Sequence, residues 1–149
     1  MNAAIFADTV SKKEHNWTVR NIQELNTVYG EFAPARWNEK LVFTSSRFFM
    51  DTSIVYTVTG EGFEDLYETE FNEQAGVWKA PARLEGINTT FNDGSFAYDS
   101  KRNIAYVMQC NGRSGAQRNC NIYTSSFNAS TNTWSLPEKF QHYSSDYSS

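Results

Sequence analysis

Six carboxylates, Glu61, Glu64, Asp65, Glu68, Glu70 and Glu73, crowd one short stretch of this chain. Paired carboxylates could run glycosidic acid–base chemistry, and clustered ones could hold calcium. The stretch lacks the Asp-x-Asp-x-Asp-Gly spacing of a calcium loop. In an extended strand Glu68 and Glu70 fall on one face. The pattern therefore predicts a solvated outer strand edge, charged so as to discourage edge-to-edge pairing. His15 and His142 stand in polar surroundings, without His-x-x-x-His or Cys-x-x-Cys spacing, so no metal and no cofactor is expected. No Gly-x-Ser-x-Gly elbow occurs, and Gly112-Arg113-Ser114-Gly115 lies between strands rather than before a helix, where a phosphate cradle would need it. Cys110 and Cys120 flank that loop. If they close a hairpin they could face each other, and a disulfide there would contribute about 2–3 kcal/mol. An oxidising compartment favours the bridge and a reducing one favours two free thiols. The polar, otherwise unanchored loop between them tips the reading toward the bridge.

These groups need elements to hold them, and the composition says which. Of 149 residues, 15% are aromatic and only 20% charged, which excludes a disordered segment. The net charge of -4 leaves no electrostatic footprint for nucleic acid, and no apolar run is long enough for a transmembrane helix. No signal peptide is legible in the first residues. Thr, Val, Tyr, Phe, Trp and Ile are common, Leu is scarce, and Asn, Ser and Gly punctuate short segments. An all-β fold follows.

The chain repeats itself. Leu25-Asn26-Thr27-Val28-Tyr29-Gly30-Glu31 matches Ile87-Asn88-Thr89-Thr90-Phe91-Asn92-Asp93 at an offset of 62 residues (25 to 87). Leu41-Val42-Phe43 matches Ile104-Ala105-Tyr106 at 63 (41 to 104). Asp65-Leu66-Tyr67 and Trp78-x-x-Pro81 match Asn121-Ile122-Tyr123 and Trp134-x-x-Pro137 at 56 (65 to 121). The drop from 63 to 56 places the length difference in one loop, 45–64 in one copy and 108–120 in the other. A partial third copy is read from Ile5-Phe6 and Trp17. Four strands are expected per unit: Glu31–Arg36, Lys40–Ser45, Asp65–Phe71 and Trp78–Leu84, then Asp93–Tyr98, Asn103–Gln109, Asn121–Phe127 and Thr133–Phe140. Four antiparallel strands repeated radially define a β-propeller blade. The expected organisation is the end of a preceding blade (1–24), one blade (25–86), a second (87–140) and a polar tail (141–149). About two and a half blades cannot close a propeller, so the chain is expected to be part of a larger one or, failing that, to self-assemble into a ring. Tyr67, Trp78, Tyr123 and Trp134 recur at matched positions and are expected to pack blade on blade.

Asn88-Thr89, Asp93-Gly94-Ser95-Phe96, Leu41-Val42-Phe43-Thr44-Ser45-Ser46-Arg47, Asp65-Leu66-Tyr67 and Trp78-x-x-Pro81-x-x-Leu84 together carry a likeness. The units resemble the WD40-like, TolB-type β-propeller repeats of Bacteroidota cell-envelope proteins that carry OmpA-type domains. The resemblance covers about 24–140. It implies a non-catalytic scaffold in the periplasm or at the outer membrane, beside secretion, gliding or transport machinery. Its partners would be envelope proteins or the remaining blades of the same propeller, with no nucleic acid and no membrane span of its own. The stretch Ser46–Glu64, through Phe48, Phe49, Met50, Ile54, Val55 and Tyr56, is the contact candidate, because so long and apolar a loop exceeds what a hairpin needs. It could equally fold back over its own blade. The alternative function is a glycan-binding or hydrolytic propeller with its site on the axial face, for which Glu31, Arg36 and Asp93 are the candidates. Sialidase-type repeats also end in Trp, but the turns before Trp78 and Trp134 lack their Asp.

Overall fold

The computed structural model describes residues 18, 21–48, 55–111 and 119–141. Among them there is no helix, and ten strands form two antiparallel sheets. The first sheet holds β1 (Glu31–Trp37), β2 (Lys40–Ser45), β3 (Asp65–Asn72), β4 (Val77–Trp78) and β5 (Ala82–Arg83), in the order β1-β2-β3-β4 with β5 also on β3. The second holds β6 (Asn92–Asp99), β7 (Ile104–Asn111), β8 (Asn119–Asn128), β9 (Thr133–Trp134) and β10 (Glu138–Lys139), in the order β6-β7-β8-β10 with β9 also on β8. The fourth segment expected in each unit is thus two short strands, not one. Pro81 and Pro137 explain the break, since proline brings no N–H to the ladder. A hydroxyl closes the gap in both sheets: Thr69 Oγ1 donates to the Lys79 carbonyl and Ser125 Oγ to the Ser135 carbonyl, each at 2.7 Å.

The repeat extends to individual hydrogen bonds. The Asn72 side chain caps the β3–β4 turn by accepting from the Gln74 and Ala75 amides, and Asn128 accepts from Ser130 and Thr131 in the β8–β9 turn. Gly76 and Asn132, also 56 residues apart, take the left-handed backbone that each turn requires. Thr27 gives its amide and hydroxyl to Glu31, and Thr89 gives the same two groups to Asp93. This explains the Asn-Thr-x-aromatic-x-acid spacing: the acid four residues on anchors the threonine. Even an irregularity recurs. Both β1 and β6 carry a bulge, and Ala33 (φ 50°) and Ser95 (φ 47°) sit in it left-handed, 62 residues apart.

Strand register corrects one sequence alignment. Ser45 pairs with both Glu31 and Asp65, and Gln109 pairs with both Asp93 and Asn121. The second strands therefore correspond at an offset of 64 (45 to 109), not 63. Two extra residues lie in the β6–β7 turn, which joins Asp99 to Ile104, whereas the β1–β2 turn joins Trp37 to Lys40. The length difference thus falls in two places. This matters because a one-residue slip turns every side chain to the other face.

With that register the packing reads simply. Ala35, Trp37, Val42 and Leu66 face one way from the first sheet; Phe96, Tyr98, Ala105, Val107, Tyr123 and Phe127 face them from the second. Leu84 and Ile87, in the connection, complete the core. Trp134 meets Trp37 with ring centroids 4.9 Å apart and Phe127 at 5.0 Å. Gly86 takes the left-handed backbone there, with φ +86°. Trp134 and Tyr123 thus pack between the sheets. Trp78 instead packs on Phe71 of its own sheet (5.4 Å), and Tyr67 lies on the outer side of the first sheet.

Candidate functional site

The polar residues gather at one end of the sheets, where β1, β3 and β6 begin and β2 ends. Strand alternation puts Glu31, Ser45 and Asp65 side by side there, since Ser45 is the ladder partner of the other two. Arg47, just past β2, folds back: its guanidinium donates to Glu31 Oε1 (3.1 Å), Ser45 Oγ (2.9 Å) and the Leu25 carbonyl (2.8 Å). The same group lies over the rings of Phe43 and Tyr67. Arg83 of β5 grips Asp65 with two bonds of 2.9 Å and reaches the Thr89 carbonyl. This forked geometry suits arginine and would not survive lysine.

Burial and hydrogen-bond partners compete over the protonation of this end. Burial alone would raise Glu31, but hydrogen bonds from Thr27 and Ser45 and the Arg47 charge outweigh it and hold the carboxyl below its ordinary value. Asp93 is wholly buried, and that burial pushes it up to about 6. The two Thr89 bonds oppose the rise, while the Asp65 charge adds to it. Glu64 is raised by burial and by Glu61. The Asp93 amide also donates to the Glu64 carbonyl (2.7 Å), and the Asn92 side chain accepts from the Glu64 amide, so the two sheets are stitched together beside these acids.

The acidic stretch is accordingly not a solvated edge. β3 is an inner strand with partners on both sides. Asp65 is bound by Arg83, Glu68 by Lys40 and Glu70 by Lys79, and Glu61 accepts from the Ser46 hydroxyl. The partners lie 9 to 28 residues away along the chain, so no local spacing announces them. Of the axial candidates, Glu31 and Asp93 share this end, whereas Arg36 sits at the opposite end, exposed and paired with Glu39. No group of three or more metal-ligating side chains occurs among the described residues.

Cys110 and Cys120 are joined, as directly opposed members of the β7–β8 ladder with Cα atoms 3.9 Å apart. The corresponding positions in the first sheet, by the register above, are Ser46 and Glu64. Of the contact candidates, Phe49, Met50 and Ile54 lie outside the described residues, as do His15, His142, Ile5, Phe6, Trp17 and 112–118. Tyr56 is buried against Phe63 and bridges to Glu61; Phe48 packs edge-on to Tyr29 at 5.4 Å; Val55 is exposed. The described part of that stretch therefore folds onto itself. Gly62 makes the fold possible: a Cβ there would meet the Ser46 carbonyl oxygen at 2.8 Å. Arg47, Arg83 and Asn88 were missed as structural organisers. Asn88 satisfies both the amide and the carbonyl of Leu66 and the Leu84 carbonyl, and its recurrence in the repeat motif was the available signal.

Comparison with protein-family models, with curated proteins and with solved structures returns no match for this chain.

Proposed function

We propose that the chain is a non-catalytic scaffold module built from β-propeller-type blades, serving protein–protein assembly in a bacterial cell envelope. The observation that carries the reading is the stacking of two repeated sheets through unlike faces. A unit that stacks in this way can be extended by further units, which is how radial blade architectures are made. The chemistry of the polar end supports the same reading. Glu31 and Asp65 are committed to arginines, and Asp93 to its own threonine, so these carboxylates hold loops and strands rather than a substrate. The Cys110–Cys120 bridge suits an oxidising compartment, as the periplasm is.

A glycan array and a panel of glycosidase substrates test the functional half of this proposal. The expected result is neither binding nor turnover; either one would establish the glycan reading in its place. Fractionation of cells producing the native gene tests the location, with the protein expected in the envelope fraction and contradicted by recovery from the cytosol.

A further inference from the structure

One segment, Asn88–Ser95, carries a run of hydrogen bonds between the two sheets at the polar end. The Asp93 amide donates to the Glu64 carbonyl (2.7 Å), and the Glu64 amide donates to the Asn92 side chain (3.0 Å). Asn88 both accepts from and donates to the Leu66 backbone. Arg83 donates to the Thr89 carbonyl (3.1 Å), and the Ser95 amide donates to the Thr44 hydroxyl (3.2 Å). Asp93 shapes this segment, because its carboxyl accepts the Thr89 amide and hydroxyl and so closes the turn.

Glu31 closes the matching turn of the first sheet with two further partners, the Ser45 hydroxyl and the Arg47 guanidinium. Asp93 has neither. Gln109 stands where Ser45 does and gives its side-chain amide to the Ile87 carbonyl, and Asn111 stands where Arg47 does. Asp93 is 0% exposed, and among the described residues its carboxyl is hydrogen-bonded by Thr89 alone. Of the charges that act on it from the first sheet, Asp65 on β3 opposes ionisation and Arg83 on β5 favours it. That guanidinium is already bound twice to Asp65. Glu64 also reaches the seam, with its Oε2 3.9 Å from where a Cβ on Gly94 would lie. Gln109 and Asn121 on β7 and β8, and Thr44 and Ser45 on β2, carry no charge. A negative charge on Asp93 is therefore both desolvated and set beside other acids.

We propose that Asn88–Ser95 is a proton-operated clasp between the sheets: protonated Asp93 keeps it shut, and ionised Asp93 lets it open toward water while the strands of each sheet stay paired. A protonated carboxyl still accepts the Thr89 amide through its carbonyl oxygen, so the turn keeps its shape. Burial raises Asp93 from 3.8 to about 6. The closed clasp is therefore fully favoured below the ordinary value, and that advantage is lost as pH rises through about 6. The corner held by Glu31 and Arg47 responds in the opposite direction, because its carboxyl is held ionised. The clasp goes beyond the scaffold proposal and stands or falls without it.

Hydrogen exchange on the full chain, followed by NMR at pH 4 and pH 7 with each rate divided by the intrinsic rate at that pH, is the test. Protection of the Glu64, Leu66 and Asp93 amides is expected to fall roughly ten- to a hundredfold from pH 4 to pH 7. The Thr27 and Ser46 amides, which belong to the Glu31 corner, should keep their protection or gain some. Asp93→Asn, of nearly the same shape, should abolish the fall in the clasp. Unchanged protection in the clasp, a parallel fall at both corners, or the same fall in a folded Asp93→Asn variant would overturn the proposal. The contrast between the two corners is read in the parent chain, so it decides the matter even if the variant folds poorly.

Discussion

The two sheets share a backbone plan and secure the same corner by different chemistry. In the first, the ladder between the second and third strands stops at Ser45 and Asp65, and a long connection follows. Arg47 and Arg83 tie that corner with hydrogen bonds and ion pairs. In the second, the ladder runs two pairs further, through Cys110–Cys120 and Asn111–Asn119, and a covalent bond fastens it. Where the first sheet has Asp65 and Arg83, the second has Asn121 and Lys139, 56 residues on. A repeat therefore preserves registers, turns and bulges, while each copy finds its own way to hold an open end. Ionic locking answers to pH and salt; the disulfide answers to redox conditions.

The largest expected difference between the copies lies in their matched tryptophans. Trp134 stands in the core between the sheets, and among the described residues Trp78 packs on Phe71 of its own sheet. Trp134→Ala should cost about 3–5 kcal/mol, with Trp78→Ala costing clearly less, as read from urea denaturation midpoints. Equal losses would erase the asymmetry.

Protonation distinguishes the matched acids next. Asp93 has a folded value of about 6 against an ordinary 3.8, so the folded chain binds its proton more tightly than the unfolded chain does. The stability from that group is fully present below the ordinary value and is lost as pH rises through about 6. The loss amounts to about 3 kcal/mol at neutral pH. Glu31 is lowered, so its contribution runs the other way and disappears as pH falls through its folded value. Asp93→Asn should remove the decline between pH 4 and pH 7 in a stability-versus-pH series, and an unchanged profile would refute the assignment.

Reduction should act on the second sheet alone. Replacing Cys110 and Cys120 together by Ser should cost about 2–3 kcal/mol. In hydrogen exchange the amides of β7 and β8 near the bridge should lose protection while β2 and β3 keep theirs. The smallest effect concerns what the copies share. Ala33 is half-buried and Ser95 exposed, and the left-handed backbone of both resists branching at Cβ. Val at either site should cost about 1–2 kcal/mol in thermal unfolding, whereas Gly should be neutral or slightly stabilising.

Much of the fold was legible because strands announce themselves locally. Alternation over Asp65–Phe71, the Asn-rich turns and the recurring Trp-x-x-Pro marked elements that the structure contains. Register was less legible. Leu41-Val42-Phe43 aligns attractively with Ile104-Ala105-Tyr106, but both are continuous apolar runs, which carry no parity signal, and only cross-strand pairing shows the shift by one. The bulges were invisible because Ala and Ser do not advertise a positive φ as Gly or Asn would. At the polar end the acids were seen and their partners were not. Arg47 reaches back to Leu25 and Glu31, and Arg83 to Asp65, across distances that only the folded chain closes.

The central claim is that the two repeats pack through unlike faces, with Trp37 of one against Trp134 of the other. A double-mutant cycle with Trp37→Leu and Trp134→Leu, measured by equilibrium unfolding, tests it most directly. A coupling of roughly 1 kcal/mol or more is predicted, since rings in contact do not contribute independently. Additive losses would contradict the account, because they would place the two side chains in separate surroundings.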